Sequence, residues 1–134
     1  MPEGGPEDPV AFQARYFAAW DAADLEGTAD CLDAAFSGSF AGPGAGPAEV
    51  LDRAGALERI AEFFVRAAPE EPRWRRTGLV WLRRGPDEAV CAMRVECRFP
   101  RHPEWNNAEL TLESYRRGED GRFRIVRASS ERLR

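Results

Sequence analysis

Residues 15–36 read RYFAAWDAADLEGTADCLDAAF, two apolar-periodic runs separated by an aspartate, and the rest of the chain can be read outward from them. Just upstream, Asp8 followed by Pro9 marks a helix start: a side-chain acceptor at the N-cap and a ring without an N–H in the first turn. From there Phe12, Tyr16, Ala19 and Trp20 recur at helical spacing, predicting one apolar stripe to about Ala23. Asp24 caps a second short helix through LEGTADCLDAA, with Leu25, Cys31 and Leu32 facing inward. FSGSFA at 36–41 reads as a short strand, and the glycine-rich GPGAGP that follows reads as a connection. Asp52 caps a third helix whose inner face is Leu57, Ile60, Ala61 and Phe64, ended by Pro69 and Pro72.

The second half changes period. Residues 73–84 and 88–99 read as strands joined at GPDE; a longer loop, PRHPEWNNA, leads to a strand at about 109–117, and GEDG turns into a last strand at 122–130. Helices first and a meander afterwards predict an α+β domain over residues 9–134: a curved antiparallel sheet packed on three helices. The acidic MPEGGPED before it reads as a disordered tail, the reverse of a signal peptide, in a cytoplasmic protein.

Composition narrows the chemistry. All 19 basic residues are Arg, so Schiff-base formation and a phosphate-loop lysine are excluded. The single histidine, His102, excludes a multi-histidine metal site, and no cofactor or metal is expected. No apolar run approaches the ~20 residues that span a bilayer. The net charge of -4 argues against nucleic acid, leaving RWRR at 73–76 as surface arginines. Cys91 and Cys97, six apart on one strand, lie roughly 20 Å from each other at ~3.3 Å per residue, too far for a disulfide.

Taken together, RYFAAWDAADLEGTADCLDAAF, the helix at DRAGALERIAEFF and the meander ending DGRFRIVRAS resemble the nuclear transport factor 2-like superfamily over about residues 9–130. That superfamily includes ketosteroid isomerase, SnoaL-like polyketide cyclases and limonene epoxide hydrolase. The resemblance implies a cone of bent sheet closed by helices around an apolar pocket, in a homodimer. In the isomerase-like members a Tyr of an RY pair donates to a developing oxyanion, and Arg15–Tyr16 matches it. Glu113 falls where those members keep a protonated acid, while their base on the first strand corresponds to Phe40; no Asp or Glu occurs from 34 through 48.

Strand parity leaves alternatives open. In LTLESYRR, alternation favours Leu110 and Leu112 inside; the resemblance favours Thr111, Glu113 and Tyr115 as a polar pocket wall. In the hydrolase-like Arg94–Val95–Glu96, alternation points Arg94 and Glu96, with Arg98, away from the apolar face of Ala89, Cys91, Met93, Val95, Cys97 and Phe99. His102, beside Trp105, is a candidate for the missing base. Trp20, Phe40, Trp74, Met93, Val95 and Tyr115 are candidates to line a pocket for a small apolar or aromatic molecule, with Trp81 close by. Three functions are in view: a cofactor-independent isomerase or cyclase, a non-catalytic binding or dimerisation module, and an epoxide hydrolase-like enzyme.

Overall fold

The computed structural model describes residues 7–40 and 49–133, apart from the side chain of Phe40. The expected tail up to residue 6 and the glycine loop therefore lie outside the described residues, as does the ring of Phe40. Helix α1 spans Pro9–Asp21, with the Asp8 carboxylate accepting from the Val10 amide at 2.7 Å. Helix α2 spans Leu25–Asp30, capped by Asp24 on the Gly27 amide. Helix α3 spans Arg53–Ala67, capped by Asp52 on Gly55. All three helices thus begin at the aspartates that the sequence marks.

The strands are β1 (Leu32–Phe40), β2 (Glu49–Asp52), β3 (Arg73–Arg83), β4 (Glu88–Arg98), β5 (Asn107–Arg117) and β6 (Phe123–Arg132). They form one sheet in the order β2-β1-β6-β5-β4-β3. Three expectations are corrected here. The second helix stops at Asp30, and Leu32–Ala35 belong to β1, because Cys31 and Leu32 bury against the sheet rather than along a helix face. The short strand β2 pairs with β1 just before α3. The sheet is mixed, because β1 runs parallel to β6 while the other pairs are antiparallel. The chain reaches β6 only after the meander has crossed the sheet, so the first and last strands meet in the same direction.

Helix α1 and helix α3 pack on one face of this sheet. The core consists of Phe12 from α1, Cys31, Leu32 and Phe36 from the first crossing, Ile60 and Phe64 from α3, and Cys91, Met93, Tyr115, Phe123 and Ile125 from the strands. Residues 7 and 8 are tied to this body: the Glu7 carboxylate accepts from the Phe123 amide at 3.0 Å and pairs with Arg15. Gly121 supplies the φ of 82° that the β5–β6 turn requires. All three cysteines are free and buried.

The cap at Asp52 tests the local logic of α3, since it satisfies an amide that otherwise has no partner. Replacing Asp52 with Ala is expected to cost about 1 kcal/mol, read as a lower denaturation midpoint with unchanged slope.

Candidate functional site

Strand β5 decides the site. Glu113 is 4% exposed and Tyr115 1%, while Leu110 and Leu112 are 40% and 47% exposed. The polar row of β5 therefore faces the helices and the leucines face away, the reverse of what alternation by hydropathy favours. The cause lies in the neighbouring strands. Glu113 sits in register with Cys91 on β4 and Ala128 on β6, and Cys91 belongs to the apolar row of β4 that must be buried. Once that row faces the helices, its partners on β5 follow.

Around Glu113 the polar groups form a chain. The Tyr115 hydroxyl donates to Glu113 Oε1 at 2.6 Å and accepts from Gln13 Nε2 at 2.9 Å. Gln13 Nε2 also approaches Cys91 Sγ at 3.4 Å. Burial pushes the Glu113 carboxyl from 4.5 up to about 7, against the Tyr115 hydrogen bond and the charge of Arg76, which favour ionisation. Desolvation is the largest of the three effects, and the hydrogen bond and the Arg76 charge offset it only in part. Burial likewise holds the Tyr115 and Tyr16 phenols above their ordinary range, with the Glu113 charge adding to both. Both tyrosines stay neutral donors at any physiological pH.

Helix α1 brings Gln13, Tyr16 and Trp20 to this side, spaced three and four residues apart on one face. The Tyr16 ring lies 6.3 Å from Phe12 and 6.3 Å from Trp20. Trp20 in turn meets Phe63, Phe64 and Trp74 at 5.8, 5.1 and 5.7 Å. This aromatic group borders a cavity of about 320 Å³ between the ends of α1 and α3 and the start of β3, lined by Trp20, Asp21, Phe63, Phe64, Pro72 and Trp74 among others. A second cavity, about 310 Å³, lies between α1 and α2 beside Arg15 and Arg122.

Arg76 and Gln13 are the site residues that the sequence reading missed. Arg76 lies over the rings of Phe17 and Trp74 at 4.2 and 5.1 Å, with its side chain 13% exposed and its Nη1 2.9 Å from Asp21. The signals were present: Arg76 follows Trp74 by two on a strand, and Gln13 precedes Tyr16 by three on a helix. Trp81 packs against Tyr115 at 5.8 Å.

The other candidates sit elsewhere or differently. Met93 is buried and Val95 half-buried on the inner row of β4. His102 stands in the β4–β5 connection, its ring stacked 4.0 Å from Trp105 and held between Glu70 and Glu104 at 3.0 and 3.3 Å. Its polar partners are those two carboxylates, apart from the Glu113 chain. Arg94 pairs with Glu96 at 3.0 Å on the outer face, Arg94 itself being exposed, and Ala128 opposite Glu113 carries no acid. Among the described residues no cluster of three or more His, Cys, Asp or Glu could hold a metal, and no helix is long and apolar enough to cross a membrane.

No protein-family model matches the chain, and no curated protein matches it in sequence. Solved structures do match in fold. A protein of Thiobacillus denitrificans, whose description places it with the calcium/calmodulin-dependent protein kinase type II association domains, superposes with a TM-score of 0.77 at 20% identity over 98% of this chain and 100% of its own. An NTF2-like protein of Rhodospirillum rubrum, of unknown function in nutrient uptake, gives 0.73 at 18% identity over 96% and 100%. A ketosteroid isomerase-like protein of Erwinia carotovora atroseptica gives 0.64 at 17% identity over 93% of each chain. The chain has the nuclear transport factor 2-like fold.

The position of Glu113 makes stability pH-dependent in a stated direction. Its carboxyl ionises more easily unfolded than folded, so the contribution is full below pH 4.5 and is lost as pH rises through about 7. Glu113→Gln removes that titration. Relative to the variant, the wild type is expected to lose roughly 3 kcal/mol between pH 4 and pH 8, measured by denaturant unfolding of both at each pH. A difference that does not change with pH would show that Glu113 titrates like an exposed carboxylate.

Proposed function

We propose that this protein binds a small apolar or aromatic carbonyl compound and moves a proton on it, as an isomerase or cyclase of the ketosteroid isomerase-like kind. One observation carries the reading: a fully enclosed carboxyl, Glu113, whose ionisation is brought to about pH 7 beside neutral tyrosines. Buried carboxylates of this sort are costly to keep, and their usual return is proton transfer at neutral pH.

The roles in this reading are as follows. No carboxylate stands between residues 34 and 48, so the proton acceptor is Glu113 itself. Tyr115 donates to it at 2.6 Å, the arrangement that an ionised carboxylate accepts. The ionised form takes a proton from the carbon beside the carbonyl; the C–H pair becomes a C=C bond and the carbonyl π pair moves onto oxygen. A neutral phenol at Tyr16 donates to that oxygen. Protonated Glu113 then returns the proton to another carbon of the same molecule, and the pair on oxygen re-forms the carbonyl. Trp20 and Trp74, which line the larger of the two cavities described, would hold the body of the ligand.

The test is deuterium exchange. A panel of cyclic and aryl ketones in D2O with the protein is followed by proton NMR. At least one member is expected to lose its α-C–H signal faster than in buffer, with a rate that rises as pH passes about 7. Glu113→Gln lowers that rate by about 100-fold or more and Tyr16→Phe by about tenfold or more. No exchange above buffer across the panel removes the reading.

A second reading concerns assembly and is supported by the outer face of the sheet. Val80, Leu82, Leu110 and Leu112 are 58%, 50%, 40% and 47% exposed there, and Val80 lines up through Ala92 with Leu112. Isolated exposed leucines are ordinary, but a contiguous apolar row across three strands marks a contact surface. We infer that a second copy of the chain covers it, giving a homodimer. Sedimentation velocity is expected to show a dimer for the wild type and a monomer for Leu112→Glu; a wild-type monomer at tens of micromolar would overturn the pairing.

A further inference from the structure

Strand β3 is the long edge of the sheet. The opposite edge, β2, has four residues, whereas β3 runs for 11 from Arg73 to Arg83. On one side β3 pairs with β4. On the other, no backbone hydrogen bond joins it to any described residue. An edge strand turns N–H and C=O groups outward at alternate residues, which makes it a template for one more strand. Sheets blunt such edges with short strands, proline, charge or a bulge. Here there is no proline, and the stretch Gly78–Leu82 carries no charge. The bulge between Gly78 and Val80 leaves Leu79 without a partner on β4 and confines regular pairing to Val80–Arg83. Four residues are enough in this sheet, as β2 shows on β1. The edge is apolar on both faces. Val80 and Leu82 lie on the outer face, while Trp81 lies on the side of Tyr115. Leu79 is 55% exposed and Trp81 39%. A copy of the chain stacked on the outer face covers Val80 and Leu82 but neither Trp81 nor the edge amides. Only a chain running along the edge meets all of them.

Charge decides what kind of chain that is. Arg73 and Arg75 at one end, with Arg83 and Arg84 at the other, are exposed and form no ion pair with a described residue. Of the acids nearby, Asp87 is paired with Arg117 and Glu96 with Arg94, so Glu88 is set against four arginines. A second β3 would bring four more arginines to the same edge. A lipid surface would meet the leucines and arginines but leave the edge N–H and C=O groups without partners, which open edges do not tolerate in hydrocarbon. We propose that β3 is the docking edge for an extended segment of a partner protein, apolar at its centre and carrying Asp or Glu at both ends. The segment adds a strand beside Val80–Arg83. Its alternate side chains pack on Val80 and Leu82 above the sheet and on Trp81 below it, and its acidic ends meet the two arginine pairs. Arg75 to Arg83 measures roughly 26 Å at ~3.3 Å per residue, a length that about nine residues span. Val80–Arg83 line neither of the cavities described above, and the docking needs no carbonyl chemistry.

The probes are three synthetic peptides, EDVTVTVDE, EDITITIDE and EDYTFTYDE, acetylated and amidated at their ends. Calorimetric titration of the full chain is expected to show at least one of them bound with a Kd of roughly 100 µM or tighter. Replacing its four acids with lysine weakens it roughly tenfold or more, and N-methylation of its central amides does the same. In the double variant Arg83→Glu, Arg84→Glu the order of the acidic and lysine-ended peptides narrows or reverses. Trp81→Ala weakens binding by roughly three- to tenfold. Amide hydrogen exchange of the wild type needs no variant: the acidic peptide slows exchange within Val80–Arg83 by roughly tenfold or more and leaves β2 unchanged. No binding of any of the three peptides, equal binding of the N-methylated form, or slowed exchange elsewhere but not in Val80–Arg83 overturns the proposal. Slowed exchange there with rising protein concentration and no peptide would assign the edge to a second copy of the chain. Binding to phosphatidylserine–phosphatidylcholine vesicles that Trp81→Ala abolishes, without peptide binding, would assign it to a membrane. Either result overturns the proposal.

Discussion

Phe12 of α1 meets the ring of Tyr115 edge-on, 5.1 Å between centroids, and both are essentially without exposure. That contact ties the first helix to the middle of the sheet, and most of the molecule follows from it. Deleting a buried phenylalanine side chain costs about 3–5 kcal/mol, so the helix cannot leave and the strand cannot turn over. With Tyr115 held inward, Glu113 two residues earlier must also face in, because alternate residues of a strand share a face. A carboxyl that would be cheaper in water is thereby enclosed.

The protein meets this cost with neutral and cationic neighbours rather than with a full ion pair. Tyr115 and Gln13 relay hydrogen bonds to Glu113, while Arg76 acts from farther off across aromatic rings. A guanidinium suits that position: it is planar, weakly hydrated and stacks on tryptophan and phenylalanine, where an ammonium would hold its water. The same Arg-only basicity that excludes lysine chemistry thus supplies a cation able to live inside an aromatic belt. By contrast, the Arg94–Glu96 pair, at 3.0 Å on the outer face with Arg94 exposed, contributes little of the ~0–1 kcal/mol typical of surface pairs.

How much of this was legible before the fold varied with how local the signal was. Asp8, Asp24 and Asp52 announce their helices because capping involves residues two or three apart. The apolar row of β4 is visible as strict alternation. The end of α2 is not, because LEGTADCLDAA has helix-forming composition throughout and Leu32 leaves the helix only to reach the sheet. Nor is the shift in β3 between Gly78 and Val80, which places Val80 and Leu82 outward while Trp81 turns in toward Tyr115. The parallel pairing of β1 with β6 joins residues some ninety positions apart, and no local pattern carries it.

The sequence by itself determined the order of the three helices and of every strand but β2, and the absence of lysine and of clustered histidines. These depend on composition and short spacings. The candidacy of Tyr16 and Glu113 came instead from the resemblance to the nuclear transport factor 2-like superfamily. Only the tertiary structure decided that Glu113 rather than Leu112 is buried, that Arg76 lies over the rings of Phe17 and Trp74, and that His102 belongs to a separate carboxylate pair. Each of those outcomes depends on which strand lies beside which. Hydropathy ranks a glutamate below a leucine for burial, and only the register with Cys91 and the ring of Phe12 reverse that order.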